Sequence, residues 1–411
     1  MRVLVVSQYF PPEPSRIGDF ASGLAERGHE VTVLTGKPNY PGGDFYPGYG
    51  FLGQTRERHG SVEVVRVPLV PRGNGSAVRM ALNYLSYALT ASVLGPLLCR
   101  GRFDLVFVCQ LSPFTVALPG LVFRKLKHAP MMLWVQDLWP ESLVESGAVH
   151  SERVLGWVGT MVSYTYRRCE AVLVQAEGMR PRVAKRGADP ARVSYFPNWA
   201  ETLYGPVEIE EDAPERREMP DGFRVVFAGN IGAAQSFGTI LAAAEKLKDH
   251  AGIRWIVFGD GRMRPAAEER VRRSDLGGKV FFLGSRPVEK MPRYFALADA
   301  LLVTLGRRPI FALTMPVKLQ SYLASGRPII AGADGETARA IEDSGAGLTA
   351  PAEDADALAG AVLKLYETPL EERAAMGRRG RAYFETHFER EMLLDRLEGW
   401  MHELTKGRSP K

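Results

Sequence analysis

Short apolar runs alternate with segments of helical periodicity at the start of the chain. Arg2–Tyr9 and Glu30–Leu34 are apolar-rich runs typical of buried strands, whereas Arg16–Arg27 has apolar residues recurring at helical spacing. Gly28 follows this helix and favours its termination there. A strand, a helix and a second strand at this spacing predict a parallel βαβ unit.

The same alternation continues along the rest of the chain. In the first half it predicts strands at Val62–Val67, Leu105–Cys109, Met131–Val135, Ala171–Val174 and Val193–Phe196. In the second half it predicts strands at Phe223–Phe227, Arg254–Phe258, Val280–Leu283, Ala300–Thr304 and Pro328–Ala331. Residues 201–220, between the two series, are rich in proline and glutamate and are interpreted as an interdomain linker.

This pattern predicts an α/β protein with two doubly wound, Rossmann-like domains, residues 1–200 and residues 201–382. The length of 411 residues suits two domains, and 45% hydrophobic with 24% charged residues is typical of globular proteins. Three cysteines without a CxxC pair argue against a disulfide framework or a structural zinc site and fit a reducing compartment. The N-terminus lacks a signal-peptide pattern, which predicts a cytoplasmic protein.

Charge is unevenly distributed between the two halves. Residues 1–200 have 22 Lys/Arg and 15 Asp/Glu, a net +7, and residues 201–411 have 30 and 32, a net −2. A basic excess in one half predicts an anionic partner for that half, with an anionic membrane or nucleic acid as candidates. A solvated surface with a mild excess is the alternative. Nucleic acid is disfavoured, because no recognition motif accompanies the basic half.

Two glycine-bearing loops follow consecutive strands of the second predicted domain. The first contains Gly229, Asn230, Gly232 and Gln235. Glycines let backbone approach a phosphate, and a following helix start supplies N–H donors. An ordinary strand-to-helix turn is the alternative for this loop taken alone.

The second loop has Gly259, Gly261, Arg262 and Arg264. Ligands of open α/β sheets bind outside the carboxyl ends of the strands, so the two loops together could hold one pyrophosphate. We predict Arg264 as the group that stabilises the leaving diphosphate, with a solvated helix start as the alternative.

A third segment near the same predicted sheet edge contains Thr314, Pro316, Lys318, Gln320 and Ser321. Proline suits the first turn of a helix, whose free N–H groups would point to the same ligand. The Lys318 ammonium would add a compact positive charge, although a surface lysine is the alternative.

Two further candidate loops lie in the first predicted domain. Gln136, Asp137, Trp139 and Glu141 follow a buried strand, and burying two tryptophans near acidic groups is costly unless the polar groups are partnered, which favours a site. The start of a helix at Glu141 and Ser142 is the alternative. The loop with Pro12, Glu13, Arg16 and Gly18 follows the first strand, ahead of a helix that could receive an anionic group. A rigid connection without a ligand is the alternative for this second loop.

One apparent metal motif is rejected. Asp354 and Asp356 match the DxD spacing of metal-dependent sugar transferases, yet they precede the predicted helix Ala357–Tyr366, where aspartate is a common N-cap.

Taken together, the motifs resemble those of the family-4 retaining glycosyltransferases of the GT-B fold. The marks are Tyr9–Glu13, Arg27–Val33, Asp137–Ser142, Pro197–Trp199, Gly229–Gly232 with Gln235, and Pro316–Tyr322. The branch with the greatest similarity includes bacterial L-fucosamine transferases of O-antigen and capsule assembly.

The resemblance implies two domains facing a central cleft, with a C-terminal helix, within residues 383–411, packing back on the first domain. It implies metal-independent, retaining transfer without a cofactor. The nucleotide-sugar donor, UDP-linked by preference, would bind the second domain. An undecaprenyl-pyrophosphate-linked or glycan acceptor would bind the first. The resemblance also supplies the site roles: Asp137, Arg264 and Lys318 would be catalytic, the other named residues of the second domain would bind donor, and those of the first would bind acceptor.

Some residues depart from the family pattern. Where the family usually has a ribose-binding glutamate this chain has Ser321, beside Gln320, and where it often has a cleft histidine the chain has Gln136. Asn230 and Gln235 stand where many relatives place an arginine and a lysine. The departures leave two alternatives open: a nucleotide-sugar 2-epimerase and a non-catalytic partner subunit of the same fold.

A stretch without charge, Met80–Cys99, lies between Arg79 and Arg100. Its length approaches that of a membrane span, but Asn83, Ser86 and further polar residues favour a buried or interfacial helix. With the basic first half, this predicts a protein peripheral at the inner face of the plasma membrane.

Overall fold

The computed structural model describes residues 1–145, 147, 149 and 151–406, which form two compact units. Unit 1 comprises Met1–Phe196 together with the C-terminal segment that begins at Leu394, and unit 2 comprises Pro197–Leu393. Each unit contains one sheet of its own.

The sheet of unit 1 has eight strands in the order β3-β4-β2-β1-β5-β6-β7-β8. The strands are β1 Arg2–Val6, β2 Glu30–Gly36, β3 Arg56–His59, β4 Val62–Val67, β5 Leu105–Gln110, β6 Met131–Val135, β7 Ala171–Val174 and β8 Val193–Tyr195. β3 pairs antiparallel with β4, and the other pairings are parallel.

Helices cover both faces of this sheet. They are α1 Ile17–Glu26, α2 Ala77–Val93, α3 Gly95–Leu98, α4 Ala117–Lys127, α5 Glu141–Glu145, α6 Glu152–Tyr166 and α7 Arg180–Lys185, with 3-10 turns at Phe114–Val116, Glu177–Met179 and Pro190–Arg192. The chain moves one way across the sheet from β1 to β2 and the other way from β4 through β5 and β6 to β7. Because parallel crossovers are right-handed, α1 lies on one face and α2, α4 and α6 on the other.

The sheet of unit 2 has six parallel strands in the order β11-β10-β9-β12-β13-β14. The strands are β9 Phe223–Ala228, β10 Ile253–Phe258, β11 Val280–Gly284, β12 Ala300–Thr304, β13 Ile329–Gly332 and β14 Gly347–Ala350. Val225 and Phe227 belong to one apolar cluster and Val226 to another, because successive strand residues point to opposite faces. The sheet is therefore buried on both sides.

The helices that follow in chain order complete unit 2 and the C-terminal segment. They are α8 Pro214–Glu218, α9 Phe237–Lys246, α10 Arg264–Arg273, α11 Met291–Ala296, α12 Pro309–Ala312, α13 Lys318–Ala324, α14 Glu336–Ser344, α15 Ala355–Glu367, α16 Leu370–His387 and α17 Arg390–Thr405, with 3-10 turns at Ala233–Gln235 and Val288–Lys290.

The predicted interdomain linker at residues 201–220 is instead a packed part of unit 2. It contains α8, where Glu215 is buried and pairs with Arg293 at 3.2 Å. Glu218 accepts a hydrogen bond from the Tyr294 hydroxyl at 2.6 Å. The acidic residues that suggested an exposed linker thus have partners on α11, which the local composition could not reveal.

The C-terminal return to unit 1 begins at Leu394, later than the predicted residue 383. Phe384 and Phe388, at the end of α16, pack in an apolar cluster of unit 2, which keeps that segment there. Within unit 1, the Arg27 guanidinium lies 2.6 Å from the Asp395 carboxylate. The His29 ring nitrogen Nε2 lies 2.7 Å from the Glu398 carboxylate. These pairs hold α17 against the start of β2.

The uncharged stretch Met80–Cys99 forms most of α2 and all of α3. Within the described residues, no helix of the protein is both long enough and apolar enough to traverse a bilayer. Cys99, Cys109 and Cys169 are free and buried, which confirms the expectation of no disulfide framework.

Candidate functional site

The two predicted glycine loops of unit 2 are joined by backbone hydrogen bonds. They follow β9 and β10, which are neighbours, so both loops lie at the same edge of the sheet. The Gly229 N–H donates to the Phe258 carbonyl at 2.9 Å, and the Ile231 N–H donates to the Asp260 carbonyl at 2.8 Å. In the other direction, the Met263 N–H donates to the Ile231 carbonyl at 3.0 Å. The loops therefore form one continuous backbone surface.

Only glycine fits at the points where these loops meet. A Cβ on Gly259 would lie 2.0 Å from the Gly229 carbonyl oxygen, and a Cβ on Gly261 would lie 2.4 Å from the Ile231 carbonyl oxygen. Gly229 and Gly259 also have φ values of +141° and +129°, in the region that favours glycine. Such a surface exposes bare backbone, as phosphate-binding loops do.

The Lys318 ammonium lies at this surface without a counter-charge. A Cβ built on Gly229 would lie 2.7 Å from Lys318 Nζ. Nζ is buried, has no hydrogen-bond partner among the described residues, and lies 4.1 Å from the centre of the Phe227 ring. Burial lowers the pKa of the Lys318 ammonium to about 8. An isolated buried cation beside glycine backbone is the arrangement expected of an anion site.

Neutral polar groups border the same surface. Asn230 and Gln235 both approach Gly232, where a Cβ would lie 2.6 Å from Asn230 Nδ2 and 3.1 Å from Gln235 Oε1. Gln235 Oε1 is buried without a partner in the described part of the chain. The Gln235 backbone carbonyl accepts from the Thr304 hydroxyl at 2.5 Å, which ties this turn to β12.

The arginines of the second loop are arranged differently from the lysine. Arg264 begins α10, and its Nε lies 2.7 Å from the Glu268 carboxylate, one turn along the same helix. Arg262 is exposed. The structure thus brings Lys318, rather than Arg264, against the glycine backbone. The role of either arginine toward a diphosphate stays a prediction.

The remaining donor candidates lie around the start of α13. Gln320 is fully buried, and its side-chain amide donates to the Val317 carbonyl at 2.7 Å. Ser321 is also buried, and Thr314 donates its hydroxyl to the Phe311 carbonyl at 3.2 Å. Pro316 is partly exposed. A ribose contact by Gln320 or Ser321 stays a prediction. The Gln320 amide already donates a hydrogen bond to the backbone of its own helix start.

In unit 1, Asp137 is a largely buried acidic residue close after β6 that keeps partial solvent exposure. No hydrogen bond or ion pair of its side chain occurs within the described residues, and burial raises the pKa of this carboxyl group. Its backbone carbonyl accepts from Gln110 Nε2 at 2.9 Å, and the Gln136 N–H donates to the Gln110 carbonyl at 3.0 Å. The backbone is fixed while the carboxylate is uncompensated, which is typical of functional acids.

Trp139 and Glu141 follow Asp137 on the same loop. The Trp139 indole Nε1 is buried and has no partner in the described portion of the protein. Glu141 pairs with Arg186 at 2.7 Å. Glu141 and Arg186 line an open groove of about 640 Å³ within unit 1, whose other walls include Pro140, Leu155, Thr160 and Arg167. 

Glu141 and Arg186, but not Trp139, are wall residues of this groove, so the structure brings only part of the predicted loop to it.

The loop after β1 is braced by its own carboxylate. Glu13 is buried and accepts from the backbone N–H groups of Asn39 at 2.8 Å and Tyr40 at 2.9 Å. A Cβ on Gly18 would lie 2.7 Å from the Pro11 ring, so glycine permits this close packing. Pro12 is exposed, and Arg16 is partly exposed. Acceptor binding by these four residues stays a prediction. The Glu13 carboxylate already holds the backbone of Asn39 and Tyr40 by hydrogen bonds.

Three glutamines at the carboxyl edge of the unit 1 sheet escaped the sequence analysis. Gln8, Gln110 and Gln175 follow or end β1, β5 and β7. All three are buried, and their Oε1 atoms lack a partner among the described residues. In the sequence, each of these glutamines stands at or just after the end of an apolar run. An uncharged amide at such a position does not by itself predict a functional site.

The rejected metal motif is a helix cap. The Asp354 carboxylate accepts from the Ala357 N–H at 2.9 Å at the start of α15. Within the described residues, no cluster of three or more histidine, cysteine or acidic side chains could hold a metal ion.

Comparison with known families matches both units. Residues 15–199 match the family described as Glycosyl transferase 4-like domain, and residues 222–368 match the one described as Glycosyl transferases group 1. A colanic acid biosynthesis glycosyl transferase by name, WcaI of Escherichia coli (strain K12), is 25% identical over 340 residues, 79% of this chain and 82% of that protein. WbjE of Pseudomonas aeruginosa, named as a glycosyltransferase, is 28% identical over 270 residues, 63% and 66% of the two chains.

Solved structures show the same fold at low identity. Sucrose-phosphate synthase from Thermosynechococcus elongatus superimposes with a TM-score of 0.73 at 18% identity, covering 98% of this chain and 99% of that one. Anabaena Alr3699/HepE in complex with UDP and glucose gives 0.68 at 14% identity, with coverage of 98% and 99%.

Two parallel-sheet, Rossmann-like units in one chain, with these structural neighbours, define a protein of the GT-B fold. With both halves matched by glycosyltransferase families, the chain belongs to the GT-B glycosyltransferases, in the group of family-4-like enzymes.

Proposed function

We propose that unit 2 binds a nucleotide diphosphate sugar, with UDP as the preferred nucleotide. The enzyme then transfers the sugar to a lipid-linked or saccharide acceptor in the assembly of a cell-surface polysaccharide. The observation that carries the donor side is Lys318, a buried ammonium group with no counter-charge beside the bare backbone of Gly229. A diphosphate is the ligand that would satisfy both the charge and the backbone N–H groups.

The donor preference has support from related folds. The Anabaena protein is described in complex with UDP and with UDP-glucose. For this chain, the base and the sugar are part of the proposal. Lys318 would neutralise the charge that grows on the diphosphate as the bond to the sugar breaks, which is the largest electrostatic demand of such a transfer. No metal ion or cofactor is part of the proposed reaction.

The proposed transfer retains the anomeric configuration. An acceptor hydroxyl oxygen attacks the anomeric carbon on the face from which the diphosphate departs, and the hydroxyl proton passes to the leaving phosphate oxygen. One carbon–oxygen bond forms and one breaks, so no redox partner is needed. The protein contributes position and charge stabilisation. Asp137, largely buried in unit 1 and without a side-chain hydrogen bond or ion pair among the described residues, is the proposed catalytic carboxylate on the acceptor side.

The acceptor side is proposed to use the groove lined by Glu141, Arg167 and Arg186. Guanidinium groups beside hydroxyl and apolar side chains suit an acceptor with phosphate and sugar parts. The names of the relatives support a polysaccharide context: colanic acid biosynthesis for WcaI and amylovoran biosynthesis for AmsK of Erwinia amylovora. A cytoplasmic position at the inner membrane face would supply both nucleotide sugar and lipid-linked acceptor.

Nucleotide binding tests the donor proposal directly. Calorimetric titration of the full chain with UDP, GDP and dTDP should show UDP binding most tightly, and Lys318→Met should lower that affinity at least about tenfold. Lys248→Met, at an exposed lysine of unit 2, is the matched control and should bind UDP as the wild type does. Equal UDP affinity of the Lys318 variant and the wild type would remove Lys318 from the site.

Turnover separates the enzyme from its alternatives. Incubation with UDP-sugars and a polyprenyl-pyrophosphate-linked glycan should yield a longer glycan, with the new linkage keeping the donor's anomeric configuration by NMR. Conversion of the donor to its 2-epimer without acceptor would identify an epimerase. Tight UDP binding with no product from any donor would indicate a non-catalytic subunit.

A further inference from the structure

An exposed row of apolar side chains runs along α2 and into α3; we call it the apolar ridge. It consists of Val78, Leu82, Leu85, Leu89, Val93 and Leu97, which are 70%, 46%, 58%, 66%, 57% and 65% exposed. Separations of three or four residues place the α2 members on one face of the helix. The opposite face, with Asn83, Tyr87, Ala88 and Ala91, is buried against unit 1. The ridge is therefore an ordered surface whose apolar face has no covering element in the described protein.

The neighbouring helices extend this apolar surface. α4 packs against both α2 and α6, and the three helices share one face of the sheet. On α4, Leu126 is 56% exposed, and on α6, Trp157 is 78% exposed. An exposed tryptophan is uncommon on a surface that meets only water, but is typical of a membrane interface.

The chain segment that bears the ridge has a net positive charge. Between Glu63 and Asp104 the chain has five arginines and no acidic residue. Of these, Arg79 lies at the start of α2, and Arg100 and Arg102 follow the end of α3; all three are exposed. Long guanidinium side chains at both ends of an apolar face suit the phosphate groups that border the acyl region of a lipid layer.

The two other possible occupants fit less well. A second copy of the chain, docked through the same face about a twofold axis, would place these exposed arginines close to those of the other copy. A transmembrane arrangement is excluded for the described helices by their length and composition. The remaining occupant is a surface that is apolar inside and anionic at its border.

We propose that α2 lies in the plane of an anionic lipid surface, with the apolar ridge among the acyl chains and the flanking arginines on the headgroups. The helix then acts as an interfacial anchor, in which buried apolar area and charge attraction add together. The argument from the ridge stands independently of the proposed transfer reaction. If both hold, the anchor keeps unit 1 at the surface in which a lipid-linked acceptor resides.

Flotation of the full-length protein with vesicles tests the anchor. Phosphatidylcholine vesicles containing phosphatidylglycerol should carry the protein upward, whereas phosphatidylcholine alone should carry much less. The double variant Leu85→Ser/Leu89→Ser should lose vesicle affinity at least about tenfold, because it removes the two central apolar side chains. Leu370→Ser, at a leucine of unit 2 that is 72% exposed, is the matched control and should float like the wild type.

Each result has a defined meaning. Unaltered flotation of the ridge variant, or no flotation of the wild type with anionic vesicles, overturns the proposal. A wild-type dimer that becomes monomeric in the ridge variant, without vesicle binding in either, would assign the ridge to a second copy instead. Because the substituted side chains are exposed, the variant should keep its UDP-induced rise in melting temperature. That readout reports unit 2, so failure of the donor proposal and failure of the anchor are distinguishable.

Discussion

Lys318 holds a positive charge for which the described residues supply neither a hydrogen-bond acceptor nor a carboxylate partner. Removing an ammonium group from water costs free energy, and here the contact with the Phe227 ring recovers only part of that cost. A residue that destabilises its own fold is retained in a sequence when it has another use. The same argument applies to the buried carboxylate of Asp137 in unit 1.

Lys318→Met should raise the free energy of unfolding while it weakens UDP binding. The pKa of Lys318 falls from its ordinary 10.5 to about 8, which corresponds to about 3 kcal/mol of destabilisation when the lysine is charged. The gain in the variant should therefore approach 3 kcal/mol at pH 7.

The pH dependence provides a further check on this variant. Between pH 8 and 10.5 the unfolded chain binds the proton that the folded lysine has already released, so wild-type stability rises with pH and the difference shrinks. Urea unfolding at pH 7 and at pH 10 measures the free energy of unfolding of the wild type and of the Lys318 variant. A less stable variant at pH 7 would contradict the assignment of an uncompensated charge.

Asp137→Asn should abolish most transfer activity without loss of stability. The amide keeps the shape of the side chain but cannot ionise. Because burial raises the pKa of the Asp137 carboxyl group, its charged form destabilises the fold, so the variant should be at least as stable as the wild type at neutral pH. We expect turnover to fall roughly a hundredfold or more, with UDP affinity unchanged. Asp44→Asn, at an exposed site, is the control. Wild-type turnover of the Asp137 variant would exclude the carboxylate from the reaction.

At the scale of elements, the donor surface depends on how closely the loops after β9 and β10 approach each other. Neither loop makes the surface alone, because each one supplies hydrogen bonds to the backbone of the other. This explains why several glycines are needed in two separate segments. A side chain at any meeting point would separate the loops and carry the N–H groups away from Lys318.

Gly261→Ala should weaken UDP binding while leaving unit 2 folded. The added Cβ would lie 2.4 Å from the Ile231 carbonyl oxygen and 2.6 Å from Asn230 Oδ1, so the first loop must shift. A displacement of backbone donors should cost at least about tenfold in affinity. Gly278→Ala, where an added Cβ has no atom within 4 Å, should bind UDP normally. Calorimetric titration of the two variants with UDP measures both affinities, and equal affinity would contradict the prediction.

Much of the secondary structure follows from local patterns, and the exceptions have physical reasons. The bounds predicted for Val62–Val67, Met131–Val135 and Ala300–Thr304 are confirmed, because short runs rich in apolar residues are typical of strands. β3 was not predicted, since Arg56–His59 has no apolar residue and becomes a strand only by pairing with β4. β14 was also missed, because a four-residue edge strand carries little signal.

The candidate site was predictable where a residue type that binds phosphate stands directly after a strand or at the start of a helix. Glycines after strands and a lysine beside a helix start indicated the donor loops, and the structure brings both together. Arg264 and Lys318 were both predicted as the positive charges toward the diphosphate, and the structure pairs Arg264 with Glu268, one turn along its helix. The buried glutamines of unit 1 could not be found, because their significance depends on which neighbours fail to satisfy them.

On the scale of the whole molecule, unit 1 is completed by the far end of the chain. Leu394, Leu397 and Met401 of α17 are fully buried. Arg27 forms an ion pair and His29 a hydrogen bond with the same helix. Unit 2 thus interrupts unit 1 in the sequence.

Leu397→Ala should destabilise unit 1 by about 2–5 kcal/mol, the usual cost of such a truncation in a packed core. Glu403→Ala, on the exposed side of α17, is the matched control and should leave stability within about 0.5 kcal/mol. Hydrogen exchange followed separately in the two units should show the loss of protection confined to unit 1. Equal loss of protection in unit 2 would contradict the division of the chain at Leu394.

The interrupted order of unit 1 has a consequence for the protein during its synthesis. A growing chain that has emerged as far as Phe196 possesses all eight strands of unit 1 but lacks α17, so the apolar surface that α17 will cover remains open. Unit 2 is then made in full before the last helix leaves the ribosome. The unit that is begun first is therefore finished last, and a prematurely terminated chain should contain a complete unit 2 beside an unfinished unit 1.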